Sequence, residues 1–261
     1  MTEGLTLIDV HAHLQDEKFS SDLDQVINNA LQAGVKRIVN VGTCLESTRQ
    51  ALDIAEKFTG CFAVAGIHPH DASTFNKDSL AELRELSNHP KVVAIGEIGL
   101  DFHYDFSPRK TQEEVFAQLW QLAYELQMPA VIHIREAFER FFPLIDELPT
   151  PPKVLLHCFS GDAEIARRAV ERDFHFSIGG PLTFAKGEQT RQIFAQLPLH
   201  LIHLETDCPY LAPVPKRGKR NEPANLRHIL QRLAEVRRLD KGILATQLAN
   251  NAQSFFGDKL R

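Results

Sequence analysis

The sequence predicts an α/β chain whose parallel strands close into a (β/α)8 barrel, the TIM-barrel architecture. Eight short apolar, β-branched runs recur along the 261 residues, and amphipathic helical segments separate them throughout. The length also matches the roughly 250 residues that such a barrel takes. Strand–helix alternation imposes parallel pairing, because a parallel connection needs a crossover, usually a helix. An open doubly wound sheet is the alternative. No G-x-G-x-x-G follows the first strand, which removes the dinucleotide-binding form of that fold.

The elements follow in order. Leu5–Val10 reads as the first strand, and Leu23, Val26, Ile27, Ala30 and Leu31 form the i, i+3, i+4, i+7, i+8 stripe of the first helix. Arg37–Val41 precedes a helix at Ser47–Phe58, and Cys61–Ala65 one at Ser79–Ser87. Val92–Gly96 is followed by a helix with Phe116, Leu119, Trp120 and Ala123 on one face. Ala130–Ile134 leads to Glu136–Leu148, after which Pro149, Pro151 and Pro152 stiffen a loop before Val154–Leu156. Ala163–Glu171, His175–Ile178, Glu188–Leu197 and Leu201–Leu204 continue the alternation. Pro223–Arg237, with proline at a position suited to a helix start, and Lys241–Phe256 complete it. Eight units occupy the length, so a single domain over 1–261 is expected.

With 43% hydrophobic and 24% charged residues, the composition rules out general disorder. A net charge of −5 argues against a basic nucleic-acid coat protein, though not against an enzyme with a local basic site. The start shows no signal-peptide pattern, and no run of about 18 apolar residues suggests a membrane span. Four scattered cysteines without a C-x-x-C motif read as free thiols in a reducing cytosol, and a cytoplasmic location is expected.

In a barrel of this type, active-site groups sit at the C-terminal ends of the strands. The first strand runs into Asp9, His11 and His13, the third into His68 and His70, and the fourth into Glu97. The fifth carries His133, the sixth ends at His157, the seventh holds Ser177, and the eighth leads to Glu205 and Asp207. Polar groups at one end of so many strands are costly to fold unless paired or metal-bound. A lone strand-end histidine is more often a satisfied core or surface residue; it is the concurrence of several that favours a metal.

Strand residues i and i+2 share a face, so His11 and His13 can reach one ion. His133 and His157 can supply a second, and Glu97, with two oxygens, can bridge both. Asp207 lies beside the first strand once the barrel closes and can complete the first ion's shell. Histidine with carboxylate suits Zn, Mn, Fe or Co better than Ca, in a binuclear centre with ions about 3.5–4 Å apart. Strand alternation turns Cys158 away from the face of His157, and apolar packing is expected of Cys158 and Cys208. His89, His175, His200, His203 and His228 read as surface residues.

One basic cluster, Lys216-Arg217-Gly218-Lys219-Arg220, follows the last strand, where this fold often holds phosphate. Arg135 follows His133, and Arg109 and Lys110 fall in the loop after the fourth strand. Together they suggest an anionic substrate. The plainer reading of such a cluster is a solvated loop.

The segments IDVHAHL (8–14), GIHPHD (66–71), GEIGLDF (96–102), MPAVIHIREA (128–137), LLHCFSG (155–161), SIGG (177–180), LETDCPYLAP (204–213) and RGKRNEP (217–223) stand in order along the chain. With them the sequence resembles the TatD family of metal-dependent hydrolases, which includes deoxyribonucleases. The resemblance implies two divalent ions (Zn, Mn or Mg), one held by His11, His13, Glu97 and Asp207 and the other by Glu97, His133 and His157. It also implies that His68 lies near a scissile phosphate. The expected reaction is hydrolysis of DNA phosphodiesters by a metal-activated water, with Asp207 taking or orienting its proton and Glu97 fixing the ions. His68, Arg135, Arg217, Lys219 and Arg220 are expected to hold phosphate. The mouth of a compact barrel suits single-stranded DNA or strand ends, hence 3′-5′ exonuclease-like action. The same centre could instead open a non-nucleic-acid ester, amide or lactone, or deacylate an aminoacyl-tRNA ester. Substrate preference is expected to sit in the loop after Glu97, FHYDFSPRKTQEEVF.

Overall fold

The computed structural model describes residues 5–260; the parts of the expected domain at 1–4 and 261 lie outside the described residues. Eight strands pair in sequence order, all parallel: β1 (Leu7–Ala12), β2 (Val35–Val41), β3 (Cys61–Ala65), β4 (Val92–Asp101), β5 (Ala130–Arg135), β6 (Val154–Leu156), β7 (His175–Ile178) and β8 (Ile202–Leu204). The ring closes just past β8. Ala12 bridges to Cys208, the His13 N–H donates to the Cys208 carbonyl at 2.8 Å, and the Asp207 N–H donates to the His11 carbonyl at 2.9 Å.

The crossover helices are α1 (Leu23–Gln32), α2 (Leu45–Lys57), α3 (Lys77–Ser87), α4 (Arg109–Glu125), α5 (Phe138–Asp146), α6 (Ala163–Val170), α7 (Glu188–Gln196) and α8 (Leu226–Arg237), with α9 (Lys241–Phe256) after them. Local chemistry explains several starts. Asn76 and Ser79 form a reciprocal cap on α3, and the Asp162 and Asp240 side chains accept backbone N–H groups at the starts of α6 and α9. Arg109 and Lys110, expected in a loop, form the first turn of α4 after Pro108. Pro223 opens a short 3-10 turn that leads into α8.

Alternation along the strands sorts the core into two sets. Leu7, Ile38, Ala63, Ile132, Phe176 and Leu204 pack with helix residues such as Phe116, Trp120 and Leu230. Ile8, Val10, Val39, Phe62, Val64, Val131 and Leu155 form a separate set inside the barrel, together with Phe255 and Phe256 of α9 and Leu260. The end of α9 therefore caps the N-terminal end of the barrel, leaving the C-terminal end open for chemistry. Burying each of those phenylalanines contributes about 1.5–3 kcal/mol.

His175 and His203 correct the surface reading. Both are inward positions of β7 and β8, 8% and 0% exposed, and their rings meet Nδ1 to Nε2 at 2.8 Å beside Phe255. His175 is the first residue of β7 and His203 the second of β8, so in strands this short a position at the very start can already face the interior. Burial keeps both imidazoles neutral, pulling His175 down to about 4 and His203 well below its usual range.

Two strands break strict alternation where it matters. Between Asp9 and Ala12, β1 advances three residues while β2 advances two, from Ile38 to Asn40. Between Ile95 and Ile98, β4 advances three while β5 advances two. Each extra residue is a bulge that reverses which residues face inward. After Ile8 and Val10, it is His11 and His13 that turn into the mouth, not Ala12. After its bulge, β4 turns Glu97 inward and then continues to Asp101, five residues past the expected end at Gly96. At Gly99, with φ +149°, a Cβ would stand 1.8 Å from the His133 carbonyl oxygen, so only glycine lets β4 run this close to β5. Among the described residues, no helix is long and apolar enough to cross a membrane.

Candidate metal centre

Side chains from six strand ends meet at the open mouth. His11 Nε2 lies 3.2 Å from His13 Nε2. Glu97 Oε2 lies 3.3 and 3.8 Å from these two nitrogens, and Asp207 Oδ1 lies 4.0 and 3.4 Å from them. The other Glu97 oxygen, Oε1, faces a different set: His133 Nδ1 at 3.0 Å, His68 Nε2 at 3.6 Å and His157 Nε2 at 3.6 Å. All six expected ligands, His11, His13, Glu97, His133, His157 and Asp207, are therefore brought together, and His68 joins them.

The donor set fits divalent cations. Two imidazole nitrogens 3.2 Å apart can share only one proton, and both also point at carboxylate oxygens. A cation satisfies all of them at once. Four atoms each about 2.1 Å from one ion in a tetrahedron lie about 3.4 Å apart, close to the spacings observed. Three trios have ligand atoms all within 4.8 Å of one another: His11 with His13 and Glu97, His11 with His157 and Asp207, and His68 with Glu97 and His133. His68 thus stands in the trio where His157 is expected from sequence, and His157 stacks on His11 with ring centroids 3.6 Å apart.

The electrostatics show the same crowding. Burial raises the cost of charge on Glu97, but His68, His11 and His157 outweigh it and hold the carboxyl well below its usual range. Burial likewise opposes charge on Asp207, yet His13 and His157 keep it lowered. For His157 burial pulls downward, while Glu205 and Glu97 raise it to about 10. His11 and His68 are lowered, chiefly by burial.

A second ring of groups, missed from sequence, holds these ligands. Glu205, fully buried, accepts from His157 Nδ1 at 2.9 Å and from the Ser177 hydroxyl at 2.5 Å. Asp101 Oδ2 lies 3.2 Å from His133 Nε2 and 2.8 Å from His70 Nε2. Asp9 accepts from the Thr206 N–H at 2.9 Å and its hydroxyl at 2.6 Å, which ties β1 to the loop carrying Asp207. Ser177, Glu205 and Asp9 were visible as strand-end polar residues without a role. Asp101 had a signal too, since it shares the inward parity of Glu97 and Gly99.

Cys158 departs from its expected apolar packing. It follows the end of β6 with φ +43°, so strand alternation no longer governs it. Burial and the neighbouring Glu205, Asp207 and Glu97 push its thiol well above the ordinary range, which keeps it protonated. Cys208 is fully buried and packs as expected, and all four cysteines are free.

Above the ligands opens a cavity of 610 Å³ whose wall includes His68, His70, Tyr104 and Arg135. The Arg135 guanidinium lies 4.7 Å over the Tyr104 ring and has no ion pair among the described residues. The 216–220 segment is not part of the wall. Arg220 is held by Asp22 at 2.7 Å and Glu222 at 2.9 Å, Arg217 lies 4.0 Å over the Phe184 ring, and Lys219 is exposed.

The model of TatD related DNases matches residues 8–257. The chain belongs to this family. Its TatD-family relatives include the uncharacterized metal-dependent hydrolase YabD of Bacillus subtilis, 39% identical over 251 residues that span 96% of this chain and 98% of the relative. The 3′-5′ ssDNA/RNA exonuclease TatD of Salmonella typhimurium is also 39% identical, over 96% of this chain and 98% of its own. The crystal structure of YJJV, a TatD homologue from Escherichia coli, superposes with a TM-score of 0.91 at 30% identity, covering 96% of this chain and 97% of that one. As a TatD-family member, this chain is a metal-dependent hydrolase on the barrel fold predicted from its sequence.

Proposed function

We propose that this TatD-family hydrolase cleaves phosphodiester bonds at the 3′ ends of single-stranded nucleic acid, DNA above all, with two divalent ions at the barrel mouth. The observation that carries the reading is the split of Glu97: Oε2 faces His11 and His13, while Oε1 faces His133, His68 and His157. One carboxylate shared by two sets of histidines is the arrangement a binuclear centre needs. Relatives named 3′-5′ ssDNA/RNA exonucleases support the substrate class.

His11, His13, Glu97 and Asp207 would hold one ion, and Glu97, His133 and His157 the other, with His68 beside the second. When bound, such ions lower the pKa of water and offset charge on phosphoryl oxygens. The protein's own groups do the rest. Asp207, kept ionised despite burial, accepts a proton from the attacking water. Arg135, unpaired on the cavity wall, holds a phosphate. The 610 Å³ volume is of the size that takes one or two nucleotides, which favours a strand end.

The test is metal analysis followed by a substrate panel. A 5′-labelled single-stranded oligonucleotide should shorten from its 3′ end in the presence of divalent metal and survive in chelator. Full activity in chelator would overturn the metal reading. Turnover of amides, lactones or aminoacyl esters with no turnover of oligonucleotides would overturn the substrate class.

A further inference from the structure

The loop between β4 and α4 carries a feature that the metal chemistry does not use. Of 17 phenylalanines, only Phe106 is exposed, at 68%. Its ring stacks on that of Tyr104, itself 47% exposed, with centroids 5.3 Å apart and planes 18° from parallel. Tyr104 forms part of the cavity wall, and the Arg135 guanidinium lies 4.7 Å over its ring. Two exposed aromatic rings, and a guanidinium with no ion pair among the described residues, thus run outward from the mouth.

The loop is built to hold them there. Asp101 Oδ1 accepts the backbone N–H groups of His103 and Tyr104, both at 3.0 Å. Gln112, 1% exposed, accepts the Asp101 N–H at 2.8 Å and donates to the carbonyls of Asp101 and Ser107 at 3.0 and 2.8 Å. The Ser107 hydroxyl donates to the His70 carbonyl at 2.8 Å and accepts the Ser73 N–H at 3.0 Å. Asp101 also faces His133, so one side chain fixes both a candidate metal ligand and the aromatic pair.

From this placement we infer that Tyr104, Phe106 and Arg135 form a stacking platform for unpaired nucleobases next to the cleavage site. Resting on the nucleic-acid reading of the centre, the inference deepens it: selection of single strands lies in the platform, because a base must leave its stack to lie on these rings. Every base has a π face, so the platform is tolerant of sequence. The guanidinium adds cation–π attraction and reaches the backbone phosphate on its other edge.

The experiment measures binding of the metal-loaded protein to a single-stranded oligonucleotide with hydrolysis-resistant phosphorothioate linkages at its 3′ end. One version carries 2-aminopurine in the two terminal positions, whose fluorescence stacking quenches; the other is abasic there. Wild type should quench the fluorophore and bind the base-bearing version at least about 10-fold more tightly. The Tyr104→Ala/Phe106→Ala variant should lose both the quenching and the preference, and Tyr104→Phe/Phe106→Tyr should retain them. Thermal melting checks that each variant is folded. A preference that survives in the alanine variant, or is absent from wild type, overturns the platform. Hydrolysis of ordinary and abasic oligonucleotides at equal rates overturns the platform and leaves the nuclease reading standing. Base-dependent binding with no hydrolysis of any oligonucleotide does the reverse.

Discussion

Replacing Glu205 by Gln tests whether the second ring of groups, rather than the ligands alone, makes this a metal centre. Glu205 does not line the mouth cavity. It is buried beneath it, with Oε2 accepting from His157 Nδ1 at 2.9 Å and from Ser177 at 2.5 Å, which leaves Nε2 of His157 aimed at Glu97. Gln keeps the volume and can keep both bonds on its one carbonyl oxygen, but it removes the negative charge that strengthens them and puts an NH2 group where Oε1 has no partner. A hydrogen bond to a charged group contributes about 1.5–3 kcal/mol. If most of that is lost at His157, metal affinity falls about 10- to 100-fold, the range typical for groups that orient a metal-bound histidine. Isothermal titration of metal-free protein with Zn or Mn measures it, with circular dichroism confirming the fold. A folded variant that binds metal within about threefold of wild type would refute the reasoning and reduce Glu205 to a core residue.

Other outcomes follow from the same structure. Glu97→Ala and Asp207→Ala should each bring hydrolysis to background while circular dichroism stays native, and chelation of wild type should do the same until divalent metal is restored; residual turnover in Glu97→Ala would remove its bridging role. Arg135→Ala should weaken single-stranded oligonucleotide binding and reduce the log K against log salt slope by about 0.7, the value for one phosphate contact; an unchanged slope counts against the contact. Arg220→Ala should instead lower stability modestly with an unchanged KM, since its guanidinium is occupied by Asp22 and Glu222; a raised KM at unchanged stability would return the 216–220 cluster to the substrate. Finally, His175 is held at about 4 against 6.5 unfolded, so its contribution is fully present above pH 6.5 and is lost as pH falls through 4. Across 2.5 units that is about 3 kcal/mol. Urea unfolding at pH 7.5 and 3.5 should therefore show a smaller acid loss in His175→Gln than in wild type, and parallel losses would contradict it.

The architecture was legible because each strand and each helix had its own signal, and the barrel needed only that they alternate. The candidate ligands were legible because chemistry is concentrated at strand ends: the side chains of His11, His13, Glu97, His133, His157 and Asp207 converge. The rest turned on geometry that spacing does not encode. Counting inward residues from Ile8 and Val10 puts Ala12 in the mouth and His11 outside; the extra residue between Asp9 and Ala12 inverts that. The same device in β4 turns Glu97 inward and lets the strand continue to Asp101, which no apolar run announces. The basic cluster failed as a guide for a different reason. A charge is free for substrate only if nothing nearer claims it, and Asp22, 198 residues before Arg220, is nearer only in the fold. Arg135, a single cation with no ion pair among the described residues, was weaker in sequence than five residues of Lys-Arg-Gly-Lys-Arg, yet it stands on the cavity wall and they do not. Whether a cation stays free to meet a substrate depends on the absence of a competing partner, a property of the closed barrel rather than of any segment of its chain.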